Sequence, residues 1–464
     1  MIKLKELFLS GANVLPLVEG GKGIGASDGR SAGYWAKAGG VGTFSGVSPA
    51  THDADGKMLP IEYTGRTRAE RHKEYINFSV KGSLYQASVA RDIAGPKGRI
   101  NMNVLWEMGG VEGILHGVLS KNKGLINGIT CGAGMPYLLA DIAAKYKVYY
   151  HPIVSSARAF NALWRRSFSR VREWLGSVVY EDPWLAGGHN GLSRAEAPDA
   201  PESPFPRVLK LRQLMDKVGL LRVPIIMAGG VWCLAEWQDW LDNKELGPIA
   251  FQFGTRPLVT QESPIPDLWK QRLLRLNAGD VELNKFSPTG FYSSAVNNAF
   301  IQELKARELR QIPFSRECSE EYSFALAVGP RARSFYIKPE DKVCVDRWIA
   351  AGYTEVMLTP DATLLFVDPS QKVSILQDQR DCMGCLSACR FSNWSQSQGS
   401  TGRLPDPRSY CIQKTLLRVI RHGDIDNDLM FSGHNAYRFA TDPLYKDGHI
   451  PTVQELIDAI VAGK

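Results

Sequence analysis

Residues 187–191 read Gly-Gly-His-Asn-Gly and follow a hydrophobic run at 177–181. A strand ending in glycines and one imidazole lets backbone approach a phosphate or a flat ring while one titratable group faces the reacting atom. His189 at such a place can take a proton from a substrate carbon or polarise an oxyanion as it forms. Alone, the pentapeptide would equally serve as a plain turn, with the histidine bonding a loop carbonyl. Two further strand ends share the design: an apolar run at 224–228 stops at Gly229 and Gly230, and one at 249–253 stops at Gly254, Thr255 and Arg256. Bare backbone N–H groups at these ends would hold an anion, so a phosphorylated cofactor is expected.

A second group of residues has metal-ligand spacing. Cys382, Cys385 and Cys389 form Cys-x2-Cys-x3-Cys, and Cys411 follows further on. Three thiolates within eight residues, closed by a distant fourth, suit a [4Fe-4S] cluster; tetrahedral zinc and free thiols are the alternatives. Arg380 and Arg390 flank the loop, either to offset cluster charge or as ordinary surface arginines. Cys131, Cys233, Cys318 and Cys344 are scattered and read as small buried hydrophobes.

Short apolar runs that break at glycine and alternate with helix-length segments predict a (β/α)8 barrel whose glycines sit at the strand C-termini, where sites of this fold collect. Eight strands are read near residues 14–18, 41–45, 100–105, 125–130, 147–151, 177–181, 223–228 and 249–253. Helical patterns fall at 208–218 and 234–241. The segment from about 305 to 410 reads as added α/β structure, with a helix at 343–350 and a hairpin of 355–358 and 363–367 that has Asp361 in its turn. Residues 392–409 read as a loop and 453–461 as an amphipathic helix. The domain expectation is therefore a barrel over 1–304 and a C-terminal α/β domain over 305–464 that holds the cysteines and a helical return to the barrel.

The ordered motifs Gly-Gly-His-Asn-Gly, Pro-Ile-Ile-Met-Ala-Gly-Gly-Val and Gln-Phe-Gly-Thr-Arg-Pro-Leu-Val-Thr-Gln-Glu-Ser resemble the nitronate monooxygenase (2-nitropropane dioxygenase) family of FMN enzymes. So do Pro16 to Gly21, the stretch from Ala38 to Thr43, Asn101 to Leu105 and Gly132 to Pro136, and the likeness runs from about residue 10 to 300. The resemblance implies a TIM barrel binding FMN, with His189 beside the flavin. It implies Gly20, Gly21 and Asn103 at the ring, with Asn101 two residues away on the same strand face. Gly188, Gly229, Gly230, Gly254 and Thr255 would hold the phosphate, and Gln252 would reach the ring or ribityl chain or else pack the barrel. Two departures stand out. Family members lack the four-cysteine loop, and where many carry a lysine on the fifth strand this chain has His151-Pro152, read either as a strand stop or as a replacement group near the cofactor. Arg256 is read as an ion-pair partner of Glu262.

Composition agrees with an enzyme of this size. The 464 residues are 44% hydrophobic and 22% charged, which excludes disordered and fibrous classes. No apolar run approaches the ~20 residues of a bilayer span, and residues 1–7 lack a leader's apolar core, so a cytoplasmic protein is expected. A net charge of +7 is mild, and the basic stretch at 164–172 fits an exposed outer helix, so nucleic acid is not an expected partner. The expected activity is FMN-dependent oxidation of a nitronate, a monooxygenase reaction on a small molecule. The four cysteines favour a rival, an NAD(P)H- or ferredoxin-linked reductase of an activated double bond, enoyl-reductase-like; outside enzymes the alternative is a flavin-binding scaffold with structural zinc.

Overall fold

A computed structural model describes residues 4–53, 57–193, 195–329, 333–421 and 423–464. The first three residues of the 1–7 segment lie outside this set. Eight parallel strands close into a barrel: β1 (Leu17–Glu19), β2 (Val41–Ser45), β3 (Arg99–Leu105), β4 (Gly128–Gly132), β5 (Tyr149–Val154), β6 (Val178–Glu181), β7 (Ile225–Ala228) and β8 (Ile249–Phe253). Each strand pairs with its sequence neighbour, and β8 returns to β1 through Phe251–Leu17 to Phe253–Glu19. The chain is thus a (β/α)8 TIM barrel carrying additional α/β structure.

Helices cover the barrel because their starts and stops are written locally. Helix α1 (Gly29–Lys37) begins where the Asp28 carboxylate accepts the Ser31 amide, and buries Trp35, whose indole donates to the Leu17 carbonyl. It lies so close to β2 that a Cβ on Gly42 would stand 1.8 Å from the Ala32 carbonyl oxygen. Helix α2 (Arg68–Ala94) opens on a Thr67/Glu70 capping box. The predicted helix at 208–218 is Pro204–Lys217. The one at 234–241 shrinks to a 3-10 turn, Leu234–Trp237, because Trp237 and Trp240 turn edge to face at 4.7 Å and Asp242 takes a positive φ of 57°.

The barrel interior is layered. Val18, Val179, Ile226, Ala228 and Ala250 pack with Leu9 and Val14 from a hairpin of Leu7–Leu9 and Ala12–Val14. This hairpin plugs the N-terminal end, so the strand C-termini are the open end. Within the added region, Glu355–Leu358 and Thr363–Val367 pair as a hairpin joined by Gln311–Pro313, over a core of Ile312, Leu364 and Phe366. Helix Lys342–Ala350 lies where the apolar spacing put it. The chain then returns over the barrel mouth through residues 430–435 and ends in Val453–Val461, a helix that packs near α1. No helix among the described residues is long and apolar enough to cross a membrane.

Candidate active site

Strand alternation decides which side chains reach the open end. On β6, Val179 lies in the interior layer and Glu181, two residues on, reaches the mouth. The loop after it is shaped by Asp182, whose Oδ1 accepts the amides of Trp184 and Leu185, both at 2.9 Å. It leads to a short strand, Gly188–His189, paired with Ser293–Val296. After β7, Gly229 and Gly230 take φ values of 84° and 78° that side chains would resist. After β8, a Cβ at Gly254 would meet nothing within 4 Å. The amides of Gly230, Gly254 and Thr255 donate to no carbonyl among the described residues. They form a cluster of unengaged donors.

These ends surround one cavity with about 1730 Å³ of empty space, part of it open to solvent. Of the residues singled out from the sequence for this site, ten line it: His189, Gly20, Gly21, Asn103, Gly188, Gly229, Gly230, Gln252, Gly254 and Thr255. Gly21 sits against Asn103, so closely that a Cβ on Gly21 would stand 2.2 Å from the Asn103 Cβ, and side-chain-free backbone forms that wall. The Gln252 side chain reaches the cavity beside Gly20.

The His189 Nε2 lies 2.6 Å from the Ser287 hydroxyl, and its ring meets Phe431 edge-on at 5.3 Å. Its Nδ1 has no hydrogen-bond partner among the described residues. Burial pushes the imidazole down to about 4, so it is neutral at pH 7. Glu181 was not singled out for chemistry, though its place two residues after inward Val179 was the available signal. It lines the cavity, and burial, reinforced by neighbouring Asp182, pushes it up to about 8. The site therefore holds a neutral base and a protonated carboxyl. Lys22 supplies a cation at the rim, its Nζ donating to the Gly20 carbonyl at 2.7 Å and to Glu19 at 3.1 Å.

His151 is not a cofactor group. Its Nε2 lies 3.0 Å from the Ser10 hydroxyl and its Nδ1 2.7 Å from the Ser177 hydroxyl, while Ser10 also donates to Asn101. It shares the inner face with the mouth residues but lies one layer below, against the plugging hairpin; Asn101 is in the same layer and also misses the cavity. Both ring nitrogens are engaged there, and burial pushes His151 down to about 3. Arg256 does not pair with Glu262. It meets Asp442 at 3.0 Å and donates to the Trp232 and Lys464 carbonyls, whereas Glu262 accepts the Val453 amide.

The far wall comes from residues 430–435, which sequence reading treated only as a return to the barrel. The Gly433 amide donates to the Thr255 hydroxyl at 3.0 Å, and Asn435 donates to the Gly230 carbonyl at 2.7 Å. This leaves the Thr255 hydroxyl hydrogen free to point at an anion.

The four spaced cysteines do converge. Cys382, Cys385, Cys389 and Cys411 line one small cavity with Met383, Phe391 and Ile412. All are free thiols, and burial pushes Cys385 well above the usual thiol range and Cys411 up to about 12. Among the described residues no set of three or more His, Cys, Asp or Glu side chains is disposed to hold a single metal ion. Of the other cysteines only Cys131 is buried; Cys233 and Cys344 are partly exposed and Cys318 is exposed, which corrects their reading as core residues.

Residues 121–338 match the model of the nitronate monooxygenase family. No curated protein matches the sequence. Among solved structures the chain is similar to nitroalkane oxidase from Streptomyces ansochromogenes, with 14% identity, a TM-score of 0.55 and coverage of 97% of this chain and 95% of that one. FabK from Thermotoga maritima aligns at 14% identity and a TM-score of 0.53, covering 97% and 92%. The enoyl reductase domain of MlnA from Bacillus amyloliquefaciens aligns at 13% and 0.53, covering 97% and 93%. At these identities the likeness is one of fold.

Proposed function

We propose that this chain is an FMN-dependent oxidoreductase of the nitronate monooxygenase type. The observation that carries this reading is the convergence, in one cavity, of unengaged amides at two strand ends, a side-chain-free backbone wall and a neutral histidine. The amides of Gly230, Gly254 and Thr255, with the Thr255 hydroxyl, would hold the phosphate. Gly20, Gly21 and Asn103 would face the ring, and Gln252 its edge or the ribityl chain. A bound flavin supplies the two-electron chemistry. The chain supplies His189, whose unpartnered Nδ1 can take a proton from a carbon made acidic by a nitro group. Glu181 supplies a protonated carboxyl that donates a hydrogen bond toward the cavity. The match to the family model over 121–338 supports the assignment.

A reductase of an activated double bond, fed by NAD(P)H or a ferredoxin, is the second reading. It is favoured by the four-cysteine pocket, since Cys385 and Ile412 belong to both its wall and that of the large cavity. Mass spectrometry of the released cofactor tests the first premise: FMN is expected, and FAD or no flavin after supplementation would remove it. Anaerobic mixing with a nitronate, then with NADPH, separates the two activities by which one bleaches the flavin.

A further inference from the structure

We propose that Cys382, Cys385, Cys389 and Cys411 together hold a [4Fe-4S] cluster whose Cys385 corner forms part of the wall of the large cavity. The second half of this statement rests on the flavin reading of that cavity; the first does not.

The four thiols share one pocket. Tetrahedral zinc at about 2.3 Å from each sulfur would draw the four sulfurs to about 3.8 Å from one another. All four thiols face one cavity and none is in a disulfide, and Cys-x2-Cys-x3-Cys closed by a distant fourth cysteine is a spacing that suits cluster ligation. A cuboidal cluster gives each thiolate its own iron and so sets the sulfurs farther apart around a central volume. The surroundings suit that guest. Met383, Phe391 and Ile412 exclude water, and the Ser392 hydroxyl donates to the Cys382 sulfur at 3.1 Å, a contact of the kind that tunes a cluster's potential.

The loop is also held rigidly on the barrel, as a site with four fixed corners requires. Arg71 on α2 donates to the Cys382 carbonyl at 3.1 Å and to that of Arg380 at 2.8 Å. The Gly109 amide, just after β3, donates to the Cys385 carbonyl at 2.9 Å, and Ser387 donates to Glu107 through both its amide and its hydroxyl. Gly384, at φ 69°, gives the tight turn between the first two cysteines, and a Cβ on Gly109 would come within 1.9 Å of its carbonyl oxygen. These contacts fix Cys385 and Leu386 at the edge of the large cavity. On loading, the four thiols lose four protons to solvent, and two ferrous ions, two ferric ions and four sulfides enter from outside the chain, so no electron transfer is needed to form the cluster.

The test is anaerobic reconstitution of the whole protein with equal amounts of ferrous and ferric iron and with sulfide, with iron, sulfide and flavin measured separately. About four irons and four sulfides per chain are expected. Cys411→Ser should lose most of the iron and keep its flavin, while Cys131→Ser should keep both. Ser392→Ala, which spares the ligands, should retain iron and shift the reduction potential to more negative values. Stoichiometric zinc, a Cys382–Cys389 disulfide, or full iron in Cys411→Ser would overturn the cluster, and an unshifted potential in Ser392→Ala would overturn its placement against Cys382. For the shared wall, the reduced cluster should speed the spin relaxation of a flavin radical. Relaxation unchanged by cluster reduction would overturn the adjacency and leave the cluster standing; loss of flavin from the unsubstituted protein would instead overturn the reading of the cavity.

Discussion

Replacing Glu181 with glutamine should make the protein more stable above neutral pH and leave it unchanged in acid. The carboxyl is pushed from 4.5 up to about 8 in the folded chain, so between those values the folded state holds a proton that the unfolded state has released. Its contribution to stability is complete below pH 4.5 and is lost as pH rises through about 8. At about 1.36 kcal/mol per unit the limit is about 5 kcal/mol. Glu181 opens on a solvated cavity, so screening should cut this to about 2–3 kcal/mol. A chain of 464 residues unfolds with an entropy of about 1 kcal/mol/K, so the difference corresponds to about 2–3 °C. Melting curves of both proteins from pH 4.5 to 9 would measure it. The two should coincide at the acid end, separate between about pH 5 and 8, and run parallel beyond. A constant offset across the range, or a less stable glutamine variant at pH 9, would mean that Glu181 is ionised against a cation and would refute the neutral-carboxyl account.

The remaining expectations concern three other groups. On the proposed flavin reading, His189→Asn should keep FMN, since the groups assigned to the phosphate are mainly backbone amides, and slow flavin reduction by substrate ~100-fold or more in stopped flow; a rate within a few-fold of the parent would make it a structural histidine. Asp442→Asn strands the fully buried Arg256 guanidinium and should cost about 3–5 kcal/mol in urea unfolding, whereas Glu262→Gln leaves that charge paired; equal losses would contradict the observed pairing. Thr255→Val removes the hydroxyl proposed to donate to the flavin phosphate, an interaction worth about 1.5–3 kcal/mol, so FMN should bind roughly 10–100-fold more weakly by fluorescence titration. Unchanged affinity would place the phosphate elsewhere.

How far the sequence could be read depended on whether a signal was local. Strands β2 and β8 fall on the predicted residues because each is a short, mostly buried run with glycine on its flank. The first strand is displaced: residues 12–14 belong to the plugging hairpin, and β1 ends on Glu19, a buried carboxylate paired with Lys22 and Ser31 that no hydrophobicity pattern would include. Strand alternation placed Asn101 and His151 on the inner face but carried no information on depth, and depth separates them from Asn103 and Ile153 at the mouth. The Arg256–Asp442 pair spans 186 residues, and only the return of the chain over the barrel makes it. The cavity-facing glycines and His189 were legible because their motifs sit at strand ends, where the fold fixes direction and depth together.

The far wall at residues 430–435 also sets an order of events during synthesis. When β8 leaves the ribosome at Phe253, the barrel can close, but roughly 180 residues must still emerge before Gly433 and Asn435 can dock on Thr255 and Gly230. At about 5–20 residues per second that delay is about 10–35 s. During it the mouth is a shallow open basin, with the amides of the last two strands facing water. Durable capture of a ligand must wait until the wall arrives. On the proposed flavin reading, a chain truncated before residue 430 should therefore contain a closed barrel that exchanges its cofactor freely, with the late segment serving as the clasp.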